Sequence, residues 1–202
     1  MPVLVRAAAL AAVALAATSA VAQAPAKQAP PPKLAAVDQI ASAVLPLPAE
    51  WRATAAVLGY GADGRLTTLR AGTGQFNCLA PDPAREQFHV ACYHTSMEPF
   101  MARGRSLRAS GTTGDRVDTV RFAEIKSGKL KMPSHPAALY TLTGGAYDAT
   151  TKSAPGAQPL YVIYIPYATE ASTGITTKPA EATPWIMYPG TPKAHIMLVP
   201  KM

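Results

Sequence analysis

Residues 87–107, QFHVACYHTSMEPFMARGRSL, contain the change of periodicity that decides the fold. The opening QFHVACYH has the β-prone composition of a strand. From Ser96, which can cap a helix, residues recur on one face at helical spacing. These residues are Met97, Phe100, Met101, Gly104 and Leu107. The chain is therefore predicted to change from strand to helix near Ser96.

The segments on either side of this change predict the remaining elements. A second helix is expected from about residue 115 to residue 127, where Gly128 can end it. Strand patterns are present in ATAAVLGY (53–60), RLTTLR (65–70), QFNCLA (75–80), AALYTLTG (137–144), PLYVIYIPY (159–167), TPWIMY (183–188) and AHIMLVP (194–200). PLYVIYIPY is the most β-prone of them, which predicts a central position in the sheet.

This order of elements predicts an α+β domain. We expect a mostly antiparallel sheet of about six or seven strands. Two helices lie between its N-terminal and C-terminal strand groups and pack on one face of the sheet.

The N-terminus predicts where the protein works. Residues 1–22 contain Arg6, then the apolar run AAALAAVALAA, and end on Ala20-Val21-Ala22. These are the features of a secretory signal peptide, and the apolar run is too short to span a bilayer stably. We therefore expect a soluble, exported protein, periplasmic or extracellular, with no transmembrane segment after signal cleavage.

The remaining chain divides by composition. Residues 23–50 are predicted to be a Pro/Ala-rich spacer, in which residues 35–45 form either a short helix or an irregular stretch. Residues 51–202 are predicted to form the single α+β domain. Hydrophobic residues make up 49% and charged residues 15% of the chain, which is typical of a globular protein.

Cys78 and Cys92 are the only cysteines in the sequence. An oxidising compartment favours a disulfide between them, which would contribute about 3 kcal/mol to stability. We expect this disulfide to be buried at the edge of the N-terminal strand meander. A reactive thiol or a metal ligand is the alternative interpretation.

The segment from Met97 to Met132 is richer in basic than in acidic residues. It supplies a candidate anion-binding face: Arg103, Arg105, Arg108, Arg116 and Arg121. Its partner would be an anionic envelope component or an acidic polysaccharide. The alternative is that these residues are simply the solvated side of two helices. Nucleic acid is not expected as a partner, because no aromatic platform is interleaved with the basic residues.

The candidate motifs for cofactor and metal binding lack the surroundings that such binding requires. The GxGxxG match at residues 59–64 precedes a strand pattern and not a helix, so its glycines are better explained as turn residues. His89 and His94 flank Cys92, but residues five apart on a strand face opposite sides. No cofactor and no metal site are expected. Tyr161, Tyr164 and Tyr167 are interpreted either as packing residues or as part of an aromatic cleft.

The folded part resembles a family of uncharacterised exported bacterial proteins with a two-cysteine N-terminal meander. The resemblance rests on GTGQFNCLAPD (72–82), ACYH (91–94), SGKLKMPSHPAALYTLTGG (127–145), PLYVIYIPYAT (159–169) and GTPKAHIMLVP (190–200). It implies export, supports pairing Cys78 with Cys92, and implies no settled activity. Many relatives carry an Asp just after the second cysteine, where this chain has Tyr93 and His94, so no chemistry of that acid can be transferred.

Two classes of function follow from these observations. The first is a non-catalytic envelope or extracellular protein that binds through its basic helical face or its long C-terminal loops. The second is a small exported hydrolase whose site is assembled only in three dimensions, for example around His135 or His195. The sequence contains no recognisable arrangement of a nucleophile and a base, which favours the first class.

Overall fold

The computed structural model describes residues 34–181 and 183–200. The predicted signal peptide, residues 1–22, lies outside the described residues, as does most of the predicted spacer. The described residues form one eight-stranded sheet with helices on both of its faces. This architecture is α+β, as the sequence predicts.

The first half of the chain contains α1 (Ala36–Ala43), α2 (Ala49–Arg52), β1 (Ala56–Tyr60), β2 (Leu66–Arg70), β3 (Phe76–Leu79) and β4 (His89–His94). A single 3-10 turn (Thr95–Met97) then leads into α3 (Glu98–Ala109), which confirms the change from strand to helix near Ser96. The second half contains α4 (Arg116–Lys126), β5 (Ala137–Thr143), β6 (Gln158–Tyr164), α5 (Glu170–Thr173), β7 (Trp185–Met187) and β8 (His195–Leu198).

The sheet is mixed, which corrects the expected topology. Its strand order is β2-β1-β3-β4-β5-β6-β8-β7, and β1 pairs with β3 in parallel while the other neighbours are antiparallel. The described residues contain eight strands where about six or seven were expected, and five α-helices where two were expected. Helices α3 and α4 lie between β4 and β5, and the three further helices are short. Strand β6 is an interior strand between β5 and β8, as its composition predicts.

The parallel pairing arises because β2 returns the chain to the starting end of β1. Only a short link is then needed to pass across that end and begin β3 on the other side. A Cβ at Gly72 would lie 2.3 Å from the Ala56 nitrogen, and a Cβ at Gly74 would lie 2.4 Å from Thr54 Oγ1. The link therefore requires glycines so that it can pass close to the backbone.

Helix α1 packs on one sheet face, which we call the α1 face. Ala43, Val44 and Leu47 are buried there against Cys78 and Cys92. The packed structure therefore begins before residue 51, the start expected from the sequence. The physical reason is hydrophobic burial, because the small apolar residues that resembled a spacer fit closely over the disulfide.

Gln39 fixes the position of α1. Its side chain is buried, and its Oε1 accepts a hydrogen bond from the Tyr60 N–H (2.7 Å) while its Nε2 donates to the Tyr60 carbonyl (3.1 Å). The amide thus satisfies both backbone groups at the end of β1 in the way that a neighbouring strand would. The helix predicted as one alternative for residues 35–45 is therefore part of the core.

The disulfide Cys78–Cys92 is present and joins directly opposed residues of β3 and β4. Both cysteines are fully buried. Because β3 and β4 are the third and fourth strands of eight, the disulfide lies in the sheet interior and not at the edge of a meander. Because β1 pairs in parallel with the outer side of β3, the strand that carries Cys78 is an interior strand. The thiol and metal-ligand alternatives for these cysteines do not hold in the folded protein.

The opposite face, which we call the α3 face, is covered by α3, α4 and the segment that follows them. Tyr93, Met97, Phe100, Leu130 and Ala137 form its buried cluster. Within residues 34–181 and 183–200, no helix has both the length and the apolar character that crossing a membrane requires.

The disulfide is expected to contribute strongly to stability. Its cysteines are separated by 14 positions, and a loop of that size contributes about 3 kcal/mol in the chain-entropy treatment. Replacing both cysteines with alanine should lower the free energy of unfolding by about that amount in urea titrations. A loss below about 1 kcal/mol would contradict this account of the sheet interior.

Candidate functional site

Tyrosine and charged side chains gather where β6, β7, β8 and α4 meet. We call this group the C-terminal loop cluster, and its members are Asp118, Arg121, Tyr164, Tyr167, Tyr188, Lys193 and His195. Asp118 and Arg121 come from α4, Tyr164 and His195 from paired positions of β6 and β8, and the others from the loops that follow β6 and β7.

Backbone hydrogen bonds hold the two loops of the cluster together. The Tyr167 N–H donates to the Thr191 carbonyl (2.9 Å), and the Gly190 N–H donates to the Ala168 carbonyl (2.8 Å). Thr169 then caps the short helix α5 through a reciprocal pair of hydrogen bonds with Ser172. The loops therefore present their side chains from a defined backbone.

Two exposed tyrosines of the cluster have left-handed backbones. Tyr167 has a φ of 64° and is 55% exposed, and Tyr188 has a φ of 52° and is 46% exposed. This conformation costs a residue other than glycine about 1–2 kcal/mol. Bulky aromatic residues that are about half exposed and lie on a strained backbone are unfavourable for stability and are characteristic of functional positions.

Asp118 connects α4 to the C-terminal loops. One carboxylate oxygen accepts from Arg121 and the other from Lys193, which lies 75 positions away in the chain. Burial opposes ionisation of Asp118, but the hydrogen bonds from Lys193 and Arg121 outweigh it and lower the pKa of this carboxyl. Two cations thus share one carboxylate, which leaves the site with surplus positive charge.

Arg121 is buried, although it is one of the arginines proposed for the anion-binding face. Its guanidinium lies 3.7 Å from the centre of the Phe100 ring, and its Nη1 donates to the Phe100 carbonyl. Its Nε has no hydrogen-bond partner within the described part of the chain. A Cβ at Gly104 would lie 2.9 Å from Arg121 Nη1 and 3.2 Å from Arg108 Nη1, so glycine leaves room for both guanidinium groups.

His195 is buried beside Tyr164 and the exposed Tyr188. Its Nδ1 is 2.7 Å from the Lys193 carbonyl, which can only accept, so Nδ1 carries the proton and Nε2 has the lone pair. The rings of Tyr164 and Tyr188 lie 5.0 Å and 5.6 Å from the imidazole. Burial raises the pKa of Tyr164 to about 12 and lowers the pKa of His195, so the Tyr164 phenol and the His195 imidazole are both neutral near pH 7.

This geometry does not assemble a hydrolytic dyad at His195. The Nδ1 partner is a backbone carbonyl, whereas an orienting carboxylate would stabilise an imidazolium. Asp118 directs its oxygens to Arg121 and Lys193. His135, the other histidine considered for catalysis, is exposed on the segment before β5. The Nε2 atom of His195 is suited to accepting a hydrogen bond from a ligand hydroxyl.

The proposed anion-binding arginines do not form one continuous exposed face. Arg103 makes a two-pronged ion pair with Glu124 on α4, and Arg105 bonds both Glu98 and the Tyr93 hydroxyl. Arg108 and Arg116 are exposed, and neither has an acidic partner in residues 34–181 or 183–200. Arg108 and Arg116 are thus the two members of the set that make no ion pair in that part of the chain, and Arg108 is the one whose guanidinium lies near that of Arg121 at Gly104.

The three regularly spaced tyrosines separate in space. Tyr161 is on the α1 face, Tyr164 is on the α3 face, and Tyr167 follows the end of β6. Sequence reasoning missed Tyr188 and Lys193, whose ammonium lies 3.6 Å from the Tyr188 ring centre. The sequence PGTPK (189–193) predicts a turn between TPWIMY and AHIMLVP, but no sequence pattern predicts a left-handed tyrosine before it.

The histidines near Cys92 do not converge on a metal position. His89 Nδ1 lies 2.8 Å from Thr143 Oγ1, His94 Nδ1 lies 2.8 Å from Ser96 Oγ, and the cysteine sulfur is in the disulfide. In the described ranges, no three His, Cys, Asp or Glu side chains are grouped in a way that could hold a metal ion.

The chain matches no protein-family model, no curated protein and no solved structure. Membership of the exported two-cysteine family therefore stays a prediction.

The buried imidazole should make stability depend on pH. Burial, helped by the charge of Lys193 and opposed by the hydrogen bond to its carbonyl, lowers the pKa of His195. The unfolded chain binds a proton near the ordinary histidine pKa of about 6.5 while the folded protein does not, so the free energy of unfolding should fall as the pH drops through that value. Urea titrations between about pH 8 and pH 5 should show this fall, and His195→Gln should reduce it.

The matched control for this experiment is His135→Gln. His135 is exposed, so its replacement should leave the pH profile as it is in the parent protein. A profile that is unchanged by His195→Gln would contradict the burial argument.

Proposed function

We propose that the protein is an exported, non-catalytic binding protein whose C-terminal loop cluster takes an anionic polysaccharide or another anionic envelope component. Export, and membership of the family that the sequence resembles, are part of this proposal. The observation that carries it is the pair of exposed, left-handed tyrosines, Tyr188, which lies beside Lys193, and Tyr167, which is on the loop hydrogen-bonded to that of Tyr188.

The tyrosines supply contact area for a sugar ring. A tyrosine side chain offers a flat surface with a polar tip and loses little conformational entropy on binding. The hydrogen bonds between the two loops, together with the capped helix α5, support a rigid presentation of these rings. Rigidity before binding reduces the entropy cost of forming the complex.

The charge near the cluster supports an anionic ligand. Arg121 and Lys193 share the single carboxylate of Asp118. Arg108, whose guanidinium lies near that of Arg121 at Gly104, adds an exposed cation, and Arg116 adds another on α4, two positions before Asp118. The acid next to Arg116, Asp115, is exposed and offsets only part of this charge. A local surplus of positive charge attracts anions and accelerates their encounter with the site.

The proposal predicts salt-dependent binding to a polyuronate such as alginate. Raising NaCl from about 0.01 M to 1 M shortens the screening length from about 30 Å to 3 Å, so calorimetry should show a steep loss of affinity. Arg108→Gln combined with Arg116→Gln should reproduce part of that loss at low salt. Arg65→Gln is the matched control, because Arg65 is exposed at the opposite edge of the sheet.

Tyr167→Asn separates binding from stability in the same assay. Asparagine tolerates the left-handed backbone, so the free energy of unfolding should stay within about 0.5 kcal/mol of the parent value. Loss of one stacked ring should weaken alginate binding by about tenfold. Affinity that is insensitive to salt and to these variants would contradict the proposal, and shortening of the alginate chains during the titration would favour a hydrolase.

A further inference from the structure

A second group of aromatic rings lies on the α1 face, away from the C-terminal loop cluster. Phe76 on β3, Tyr140 on β5 and Tyr161 on β6 are joined by Trp51, the third residue of α2. Ring centres are 4.9 Å apart for Trp51 and Phe76, 5.7 Å for Phe76 and Tyr140, and 5.3 Å for Tyr140 and Tyr161. We call these four rings the aromatic row.

The two end rings of the aromatic row are exposed, and the two rings between them are wholly or partly buried. Trp51 is 40% exposed and Tyr161 is 36% exposed, whereas Phe76 is buried and Tyr140 is partly buried. Tyr140 stands edge-on to both Trp51 and Tyr161, with interplanar angles of 62° and 68°. The two exposed rings therefore lie on either side of Tyr140. Tyr140 is held in the sheet between the disulfide-bonded Cys92 on β4 and Tyr161 on β6, which occupy paired positions.

The charged groups beside the aromatic row argue against an anionic ligand. Burial is the main cause that raises the pKa of the Tyr140 phenol, the neighbouring Tyr161 is the second, and the negative charge of Glu50 is the third. Glu50 itself is exposed. The nearest cation in the chain, Arg52, directs its guanidinium to the carbonyls of Leu45 and Leu47. Arg70 likewise directs its guanidinium to the carbonyls of Ala55 and Arg52, and among residues 34–181 and 183–200 no cation lies over a ring of the row. An anionic ligand would therefore meet Glu50 at the rings and no cation directed toward them.

The same carboxylate argues against a purely apolar ligand. Covering Glu50 with an apolar group would remove it from water without a hydrogen bond, which is unfavourable. A ligand that fits the row must offer an apolar surface to the rings and hydroxyl donors to Glu50 and the Tyr161 phenol. A neutral sugar ring has both, because its axial C–H groups form apolar faces and its equatorial hydroxyls lie around the edge of the ring.

We infer that the aromatic row is a second binding site, which takes the sugar rings of a neutral glycan. This site is separate from the one proposed for anionic polymers, since it differs in sheet face, in charge and in residues. The inference stands on the geometry of Trp51, Tyr140, Tyr161 and Glu50 and does not depend on the function of the C-terminal loop cluster.

Tryptophan fluorescence can address this site selectively. Trp51 and Trp185 are the two tryptophans of the sequence, so Trp185→Phe leaves Trp51 as the sole reporter at the row. This variant is titrated with neutral hexasaccharides of glucose in α-1,4, β-1,4 and β-1,3 linkage and with the hexasaccharide of N-acetylglucosamine. At least one of them should change the Trp51 emission in a saturable manner that does not depend on NaCl concentration.

Substitutions at the row define the contacts. In the Trp185→Phe background, Tyr161→Ala should weaken binding by about tenfold, the effect of losing one stacked ring. Tyr161→Phe should keep most of the affinity because it keeps the ring. Glu50→Gln should weaken binding several-fold, and circular dichroism checks that each variant retains the parent fold. Alginate binding should be the same in Tyr161→Ala as in its parent, which separates this result from the proposed function.

Three outcomes would overturn the inference. The first is no change in Trp51 emission with any of the four hexasaccharides. The second is an affinity that Tyr161→Ala leaves unchanged. The third is a sedimentation mass above that of the monomer that Tyr161→Ala reduces, because the row would then be a contact between two copies of the chain.

Discussion

The carboxylate of Asp118 is the constraint on which the C-terminal half of the structure depends. It binds a cation from its own helix, Arg121, and a cation from the loop before β8, Lys193. Without it, two largely buried positive charges would face each other, and α4 would have no polar link to the loops. The lysine held in this way is the one that lies over the Tyr188 ring, so a single acidic group couples the packing of α4 to the position of Tyr188.

The sheet separates two surfaces of different chemistry. The C-terminal loop cluster, which is cationic and contains the two left-handed tyrosines, lies at one end of the sheet, on the side of the α3 face. The aromatic row lies on the α1 face beside the carboxylate of Glu50. The buried Cys78–Cys92 disulfide joins β3 to β4 on the α1 face, the face of the aromatic row, and β5 extends the same ladder to Tyr140. A rigid interior of this kind lets side chains on the surface hold their positions without forming new packing contacts when a ligand binds.

Periodicity and composition predicted the local elements, while contacts between distant segments determined the features that were missed. The change to helical spacing at Ser96 and the pairing of the two cysteines are confirmed, because each depends on nearby residues or on a count. The parallel strand pair depends on how closely Gly72 and Gly74 approach another segment. The inclusion of α1 depends on one buried amide, that of Gln39. Of the arginines, charge alone could not show that Arg103, Arg105 and Arg121 bind acids of the same chain.

The role of Asp118 is tested most directly by the free energy of unfolding of Asp118→Asn, compared with Asp115→Asn in the same urea titration. Both changes remove one negative charge from the start of α4, but Asp115 is exposed and Asp118 binds two cations. The account predicts a loss of about 3 kcal/mol for Asp118→Asn, since its cations would lose their shared partner, and a change within about 0.5 kcal/mol for Asp115→Asn. Equal and small effects of the two substitutions would contradict it.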